Sequence, residues 1–137
     1  EMSNDLAAYR VHGDGRLERV SSVTALPEGF RGESAAADLH VHPAGRVVYA
    51  SHRGHDSIAT LTVDEQGHLE FVRCVPTGGN PRGFALTPDG HFLVCASAAD
   101  NRLTVFRIDE SNGHLEATGH TASIPAPVCI DVVAPAS

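Results

Sequence analysis

The sequence predicts an all-β fold, part of a β-propeller made of four-stranded antiparallel blades. Three observations carry this. Residues 42–69, HPAGRVVYASHRGHDSIATLTVDEQGHL, recur at 87–115 as TPDGHFLVCASAADNRLTVFRIDESNGHL. Val47 aligns with Phe92 and Ser57 with Arg102, an offset of 45 (92 − 47 and 102 − 57) that becomes 46 at Leu69 and Leu115, because the second turn holds one more residue. Half of the unit appears again at 4–17 as NDLAAYRVHGDGRL, 52 positions before its counterpart (56 − 4). A period in the mid-forties with four short strand patterns per unit marks a propeller blade, since each unit must stack on its neighbours to cover both faces of its sheet.

The elements follow in order. Residues 4–12 and 17–25 read as the third and fourth strands of one blade. Residues 26–34, LPEGFRGES, are the longest irregular stretch and account for the seven extra positions between the first two copies (52 − 45); an insertion at a fixed place in a repeat maps to a loop on one face, often the binding face. Leu39 and Val41 with Pro43-Ala44-Gly45 give a first strand and its turn, 47–51 a second strand, and 57–63 a third, dense in β-branched residues. Asp64-Glu65-Gln66-Gly67 supplies the backbone geometries of a tight reversal, and 69–75 is the fourth strand. Thr77-Gly78-Gly79-Asn80-Pro81 crosses to the next unit, which opens at 82–86 and repeats the plan. Residues 126–133 read as a lone first strand. The expected layout is therefore one propeller domain with a blade end at 1–25, two complete blades at 35–77 and 81–124, and the first strand of a closing blade at 126–135. Because the chain opens with Glu partway through a repeat, it reads as the C-terminal portion of something longer. Eleven strands cannot close a propeller, so the flat faces of the end blades need cover from missing blades or another chain.

The 137 residues are 42% apolar, a one-domain length and an ordinary globular composition. No run of 18 apolar residues exists, so no helical membrane span is expected, and no leader pattern opens the chain. The formal net charge is −7 and all ten basic residues are Arg, with no basic run, which excludes nucleic acid as the expected partner. The absence of Trp sets the chain apart from propellers marked by a Trp-Asp dipeptide. Cys74, Cys95 and Cys129 form no CxxC pair and sit in strand patterns, so reduced, buried thiols in a cytoplasmic setting are expected. His40 and His42 share one side of a strand and His52 and His55 follow in the next loop, a spacing that could suggest zinc. No Cys or carboxylate completes such a set, so no metal is expected, and no cofactor motif is present.

The runs AAADLHVHPAGRVVYASHRGHDSIATLTV and GGNPRGFALTPDGHFLVCAS, in that order, resemble the propeller-type lactonase family. The likeness covers the whole chain. It implies a seven-bladed parent, of which about three blades are represented, and a lactone-hydrolysing activity. The family's best-known bacterial activity is on 6-phosphogluconolactone; it also includes a fungal carboxymuconate-lactonizing enzyme.

The repeats themselves locate candidate chemistry. The loop between second and third strands carries Arg53, whose copies are Glu1 (53 − 52) and Ala98 (53 + 45). Copies of one loop share one rim of a propeller. Arg82 starts a first strand, and first strands line the central channel, so Glu1, Arg53 and Arg82 should converge on one mouth. Lactone hydrolysis needs a base to take a proton from water, positive charge for the developing oxyanion, and, for a phosphorylated substrate, a clamp of the kind an Arg fork provides. The resemblance implies that Glu1 and Arg53 belong to the site, with a further His and Arg supplied by missing N-terminal blades. Glu1 and Arg53 are accordingly the catalytic candidates, and Arg82 and His40 the substrate-binding ones. The bland readings stay open: Glu1 and Arg53 as an inter-blade ion pair, Arg82 satisfying loop carbonyls, His40 as an inter-blade residue. The expected function is that of a cofactor-free 6-phosphogluconolactonase, inactive as an isolated fragment. The alternatives are a non-catalytic protein-binding scaffold and a sugar-lactone or muconate-lactone enzyme of the same family.

Overall fold

In the computed structural model, which describes residues 3–136, turns within each sheet and two crossovers between sheets join ten strands. They are β1 (Asp5–Val11), β2 (Leu17–Thr24), β3 (Ala35–Val41), β4 (Val47–Arg53), β5 (Ser57–Val63), β6 (Leu69–Pro76), β7 (Pro81–Leu86), β8 (Phe92–Ser97), β9 (Arg102–Ile108) and β10 (Leu115–Ser123). A single turn of 3-10 helix, Ala98–Asp100, lies between β8 and β9. β1 and β2 form a hairpin, while β3 to β6 and β7 to β10 form two four-stranded sheets, each strand antiparallel to the next. The chain is thus all-β, with the up-and-down order of propeller blades. Each first strand is irregular near its start, between Ala36 and Leu39 in β3 and between Pro81 and Gly83 in β7, so the repeat extends to the kink.

The strand period of two sorts the core into two layers. In β4, Val48 and Ala50 face the β1–β2 hairpin and join a cluster with Leu6, Ala25, Ala59 and Leu61. Tyr49, between them, faces the other way and packs with Ile58, Val75, Phe84, Leu93, Cys95 and Phe106, closing the space between the two four-stranded sheets. A sheet buried on both faces explains why β5 reads as a nearly continuous apolar run.

Hydrogen bonds lock the two four-stranded sheets together at one end and close each unit on itself at the other. The Tyr49 hydroxyl donates to the Gly113 carbonyl at 2.6 Å. His42 places Nε2 3.0 Å from the Gly90 carbonyl and accepts the Ala44 N–H on Nδ1 at 3.0 Å. Gly113 has φ +75° and no room for a side chain, because a Cβ there would stand 2.7 Å from a Val47 methyl. At the opposite end one device recurs in all three units. Asn4, Asp56 and Asn101 adopt φ of 59°, 53° and 54°, conformations that Asn and Asp tolerate. Their carbonyls accept N–H groups of Ala25, Thr77 and Ile124 at 3.0, 2.9 and 3.0 Å, tying each strand-joining turn to the end of its own fourth strand.

Three expectations are corrected. Residues 126–135 form no strand: the described tail after β10 has no ladder, since a first strand pairs with the second strand of its own sheet and no such strand is among the described residues. The tail instead passes β7 at Gly83, where a Cβ would come within 2.8 Å of the Val128 carbonyl oxygen. Cys129 rides on this tail and is exposed rather than buried; all three cysteines are free. His52 is not in a loop but in β4, fully buried.

Candidate functional site

The rim carrying the turn 54–56, the turn 98–101 and the crossovers 25–34 and 77–80 collects the predicted arginines. Arg53 ends β4, opposite Ala35 at the start of β3, and is half-buried. Arg82 is the second residue of β7 and exposed. The two are joined through the backbone: Asp56 Oδ1 accepts the Asn80 N–H at 3.0 Å, and the Asn80 carbonyl accepts the Arg82 N–H at 2.9 Å. The Arg82 guanidinium makes no hydrogen bond or ion pair among the described residues, so it is not satisfying loop carbonyls there. Glu1 lies outside the described residues.

His40 is placed elsewhere. It sits opposite Tyr49 on β4, four ladder steps from Arg53, about 13 Å along the sheet. Its Nε2 is 3.0 Å from Asp38 Oδ2, and its ring meets Phe84 edge-on at 4.7 Å. The same Asp38 oxygen accepts the Phe84 N–H at 3.2 Å. These contacts form an inter-sheet clasp between first strands. His42 uses both ring nitrogens on backbone groups, so the His40–His42 pair is occupied within the protein.

Two histidines of this rim, which the sequence offered only as a possible metal pair in a loop, take other roles. His52 faces the same side as Val48 and Ala50, with no exposure and neither ring nitrogen in full hydrogen-bond geometry. Burial pushes its imidazole from 6.5 down to about 4, the charge of His55 adds to the fall, and the Ala50 carbonyl opposes it. His52 is therefore neutral at neutral pH. His55 holds Nδ1 2.6 Å from Ser57 Oγ and meets the Phe30 ring edge-on at 4.7 Å. The alternation in VVYASHR carried a signal for His52; nothing local marked the Phe30 contact.

A cleft of about 740 Å³ opens at the other rim, between the turns of the two four-stranded sheets. Its acids serve the turns. Bonding to the Thr87 hydroxyl and the His91 N–H lowers the Asp89 carboxyl below its ordinary range, and the Ser111 hydroxyl and N–H do the same for Asp109. His91 sits between Asp89 and Glu110 at 3.3 and 3.1 Å. Neither Arg53 nor Arg82 lines this cleft.

Repeated four-stranded meanders stacked face to face, with arginines gathered on one rim, define part of a β-propeller with a candidate anion-binding mouth. The chain belongs to the family described as "Lactonase, 7-bladed beta-propeller", matched over residues 1–132. It is 38% identical over 133 residues to the 6-phosphogluconolactonase of Bacillus subtilis, covering 95% of this chain and 38% of that protein. Among solved structures it is similar to the Pseudomonas aeruginosa periplasmic gluconolactonase, with TM-score 0.86 and 32% identity over 93% of this chain and 36% of that one. A putative 6-phosphogluconolactonase from Bacteroides fragilis gives TM-score 0.85 and 32% identity over 94% and 36%. The chain thus spans little more than a third of the relatives it matches. The matched stretch is assigned to the N-terminal part of these relatives, which replaces the C-terminal placement expected above.

Proposed function

We propose that this chain forms part of a lactone hydrolase acting on 6-phosphogluconolactone, opening the ring ester to 6-phosphogluconate. The observation that carries the reading is the 38% identity with the Bacillus subtilis 6-phosphogluconolactonase along 95% of the chain. The arginine pair on one rim supports it. In this reading water adds to the ring carbonyl, a carboxylate takes its proton, and the developing oxyanion is stabilised by positive charge. Glu1 is the proposed base and Arg53 the charged partner, with Arg82 reaching the phosphate from the start of β7. No cofactor is required, and the location is cytoplasmic.

The remaining blades, or another chain, cover the uncovered face of the β7–β10 sheet. Val94, Leu103 and Val105 on that face are half-buried, whereas the matching residues of the preceding sheet, Tyr49, Ile58 and Thr60, are fully buried under β7–β10. The same three positions, on two strands of each sheet, argue for the same kind of cover, another blade. A second substrate reading, an unphosphorylated aldonolactone, is favoured by the likeness to the periplasmic gluconolactonase.

Arg53→Lys in a complete propeller carrying this sequence tests the site. Lys keeps the charge but loses the planar fork. Loss of a charge-assisted bond predicts a fall of about tenfold to a hundredfold in kcat/KM for the phosphorylated lactone. Full activity in the variant would return Arg53 to a structural ion pair.

A further inference from the structure

The two crossovers on the arginine rim differ in length. Four residues, 77–80, join β6 to β7, but ten, 25–34, join β2 to β3. The short one clasps the turn 98–101 directly: the Gly79 N–H donates to Asp100 Oδ2 at 2.8 Å, and the Ala98 and Ala99 N–H groups donate to the Asn80 and Gly79 carbonyls, both at 3.1 Å. That turn has Ala98 where the preceding unit has Arg53. The long crossover stands over the turn that carries the arginine, and it is folded rather than extended. The Phe30 N–H returns to the Pro27 carbonyl at 3.2 Å. Gly32 backs the Phe30 ring, so close that a Cβ would lie 3.3 Å from it, and the ring meets His55 edge-on.

Behind Phe30 the contact continues in the backbone. The Glu33 carbonyl lies against Gly54, where any Cβ would overlap its oxygen, and Gly54 has φ +100°. Asn4 Nδ2 donates to the Ser34 carbonyl at 2.9 Å, fixing the far end of the crossover. Asp56 Oδ1 holds the other flank, accepting the N–H groups of Gly54 at 3.2 Å and Asn80 at 3.0 Å. The residue after Arg53 is thus gripped from both sides.

We propose that the 25–34 crossover is a positioning element for Arg53, in which Phe30 on His55 and the Glu33 carbonyl on Gly54 set the turn that aims the guanidinium. Phe30 acts through the turn and does not touch the substrate. A guanidinium held within a few tenths of an ångström binds an anion as a two-toothed fork, whereas one on a loose turn binds as a diffuse charge. The oxyanion developing on the ring ester should feel the difference on either lactone, since Arg53 is the charged partner proposed for it.

The test compares wild type, Phe30→Ala and Phe30→Tyr in a complete propeller carrying this sequence, each first checked for a native melting transition. In wild type, 15N relaxation of the Arg53 Nε–H should show an ordered side chain. Phe30→Ala should loosen it, and Phe30→Tyr, which keeps the ring edge, should restore it. The kinetic arm rests on the lactonase reading. There Phe30→Ala should lower kcat about fivefold to tenfold on 6-phosphogluconolactone and gluconolactone alike, with KM within about twofold, and Phe30→Tyr should keep the wild-type kcat. An Arg53 Nε–H equally ordered in wild type and Phe30→Ala overturns the proposal. A wild type that hydrolyses no lactone overturns the lactonase reading instead, and the relaxation measurement still decides the role of Phe30. Should Phe30→Ala fail to fold, Phe30→Leu replaces it in both arms, since an aliphatic side chain fills the space without the ring contact.

Discussion

Acidification should weaken this chain through His52 in particular. The imidazole is wholly buried and its folded value is about 4 against an ordinary 6.5. The sign follows from which state binds the proton. Between pH 6.5 and 4 the unfolded chain takes up a proton at position 52 that the folded chain refuses, so stability falls as pH falls through 6.5 and levels off below about 4. The full gap corresponds to about 3 kcal/mol, and about 2 kcal/mol of it is already lost at pH 5. For a domain of this size that lowers Tm by roughly 6 to 10 °C. The assay is thermal unfolding by circular dichroism from pH 7.5 to 4.5, for the wild type and for His52→Asn. Asn does not titrate, so the variant should show a shallower loss of Tm, whatever its absolute stability at pH 7. Parallel curves would refute the reasoning: His52 would then be accepting its proton in the folded state, and the burial argument would fail.

Two further outcomes concern the packing between sheets. Tyr49→Phe removes the hydroxyl that meets the Gly113 carbonyl and leaves that buried carbonyl unsatisfied; chemical denaturation should register a loss of about 1–2 kcal/mol. In a thiol-titration assay on the folded protein, Cys129 should react first because it is exposed, whereas Cys95, fully buried and with its thiol pushed up to about 11 by burial, should react only on unfolding. Prompt reaction of Cys95 would mean that the two four-stranded sheets are not packed as described.

How much of this was legible in the sequence depended on range. The strands were readable because their causes are local. The density of β-branched residues fixed β5 at its observed limits, and Asp64 with Gly67 marked the reversal after it. β4 ran two residues further than its apolar pattern, to Arg53, because pairing with β3 and β5 holds polar residues such as His52 in the ladder. His52 looked like loop because HRGHDS is polar, yet its place two and four residues after Ala50 and Val48 put it on their buried face. The clasps could not be read at all. His42 meets Gly90 across 48 positions and Tyr49 meets Gly113 across 64, so no window on the chain contains both partners. The repeat placed Arg53 and Arg82 on one rim, because symmetry relates copies of a loop. It could not place His40, which is set by depth along the strand and by the Asp38 and Phe84 contacts. The strand expected at 126–135 did not form, since pairing belongs to two segments and the sequence of one cannot supply it.

The most direct measurement is the rate of lactone opening by a complete seven-bladed propeller carrying this sequence. Freshly generated 6-phosphogluconolactone and unphosphorylated gluconolactone would be followed by proton release, against spontaneous hydrolysis in the same buffer. The account predicts enzymatic opening of the phosphorylated lactone, with kcat/KM at least about tenfold above that for the unphosphorylated one, the margin expected from a charge-assisted contact to the phosphate. Equal or higher kcat/KM on gluconolactone would remove the phosphate clamp and favour the aldonolactone reading. Rates no faster than buffer on both lactones would contradict the hydrolase account and leave the propeller as a scaffold.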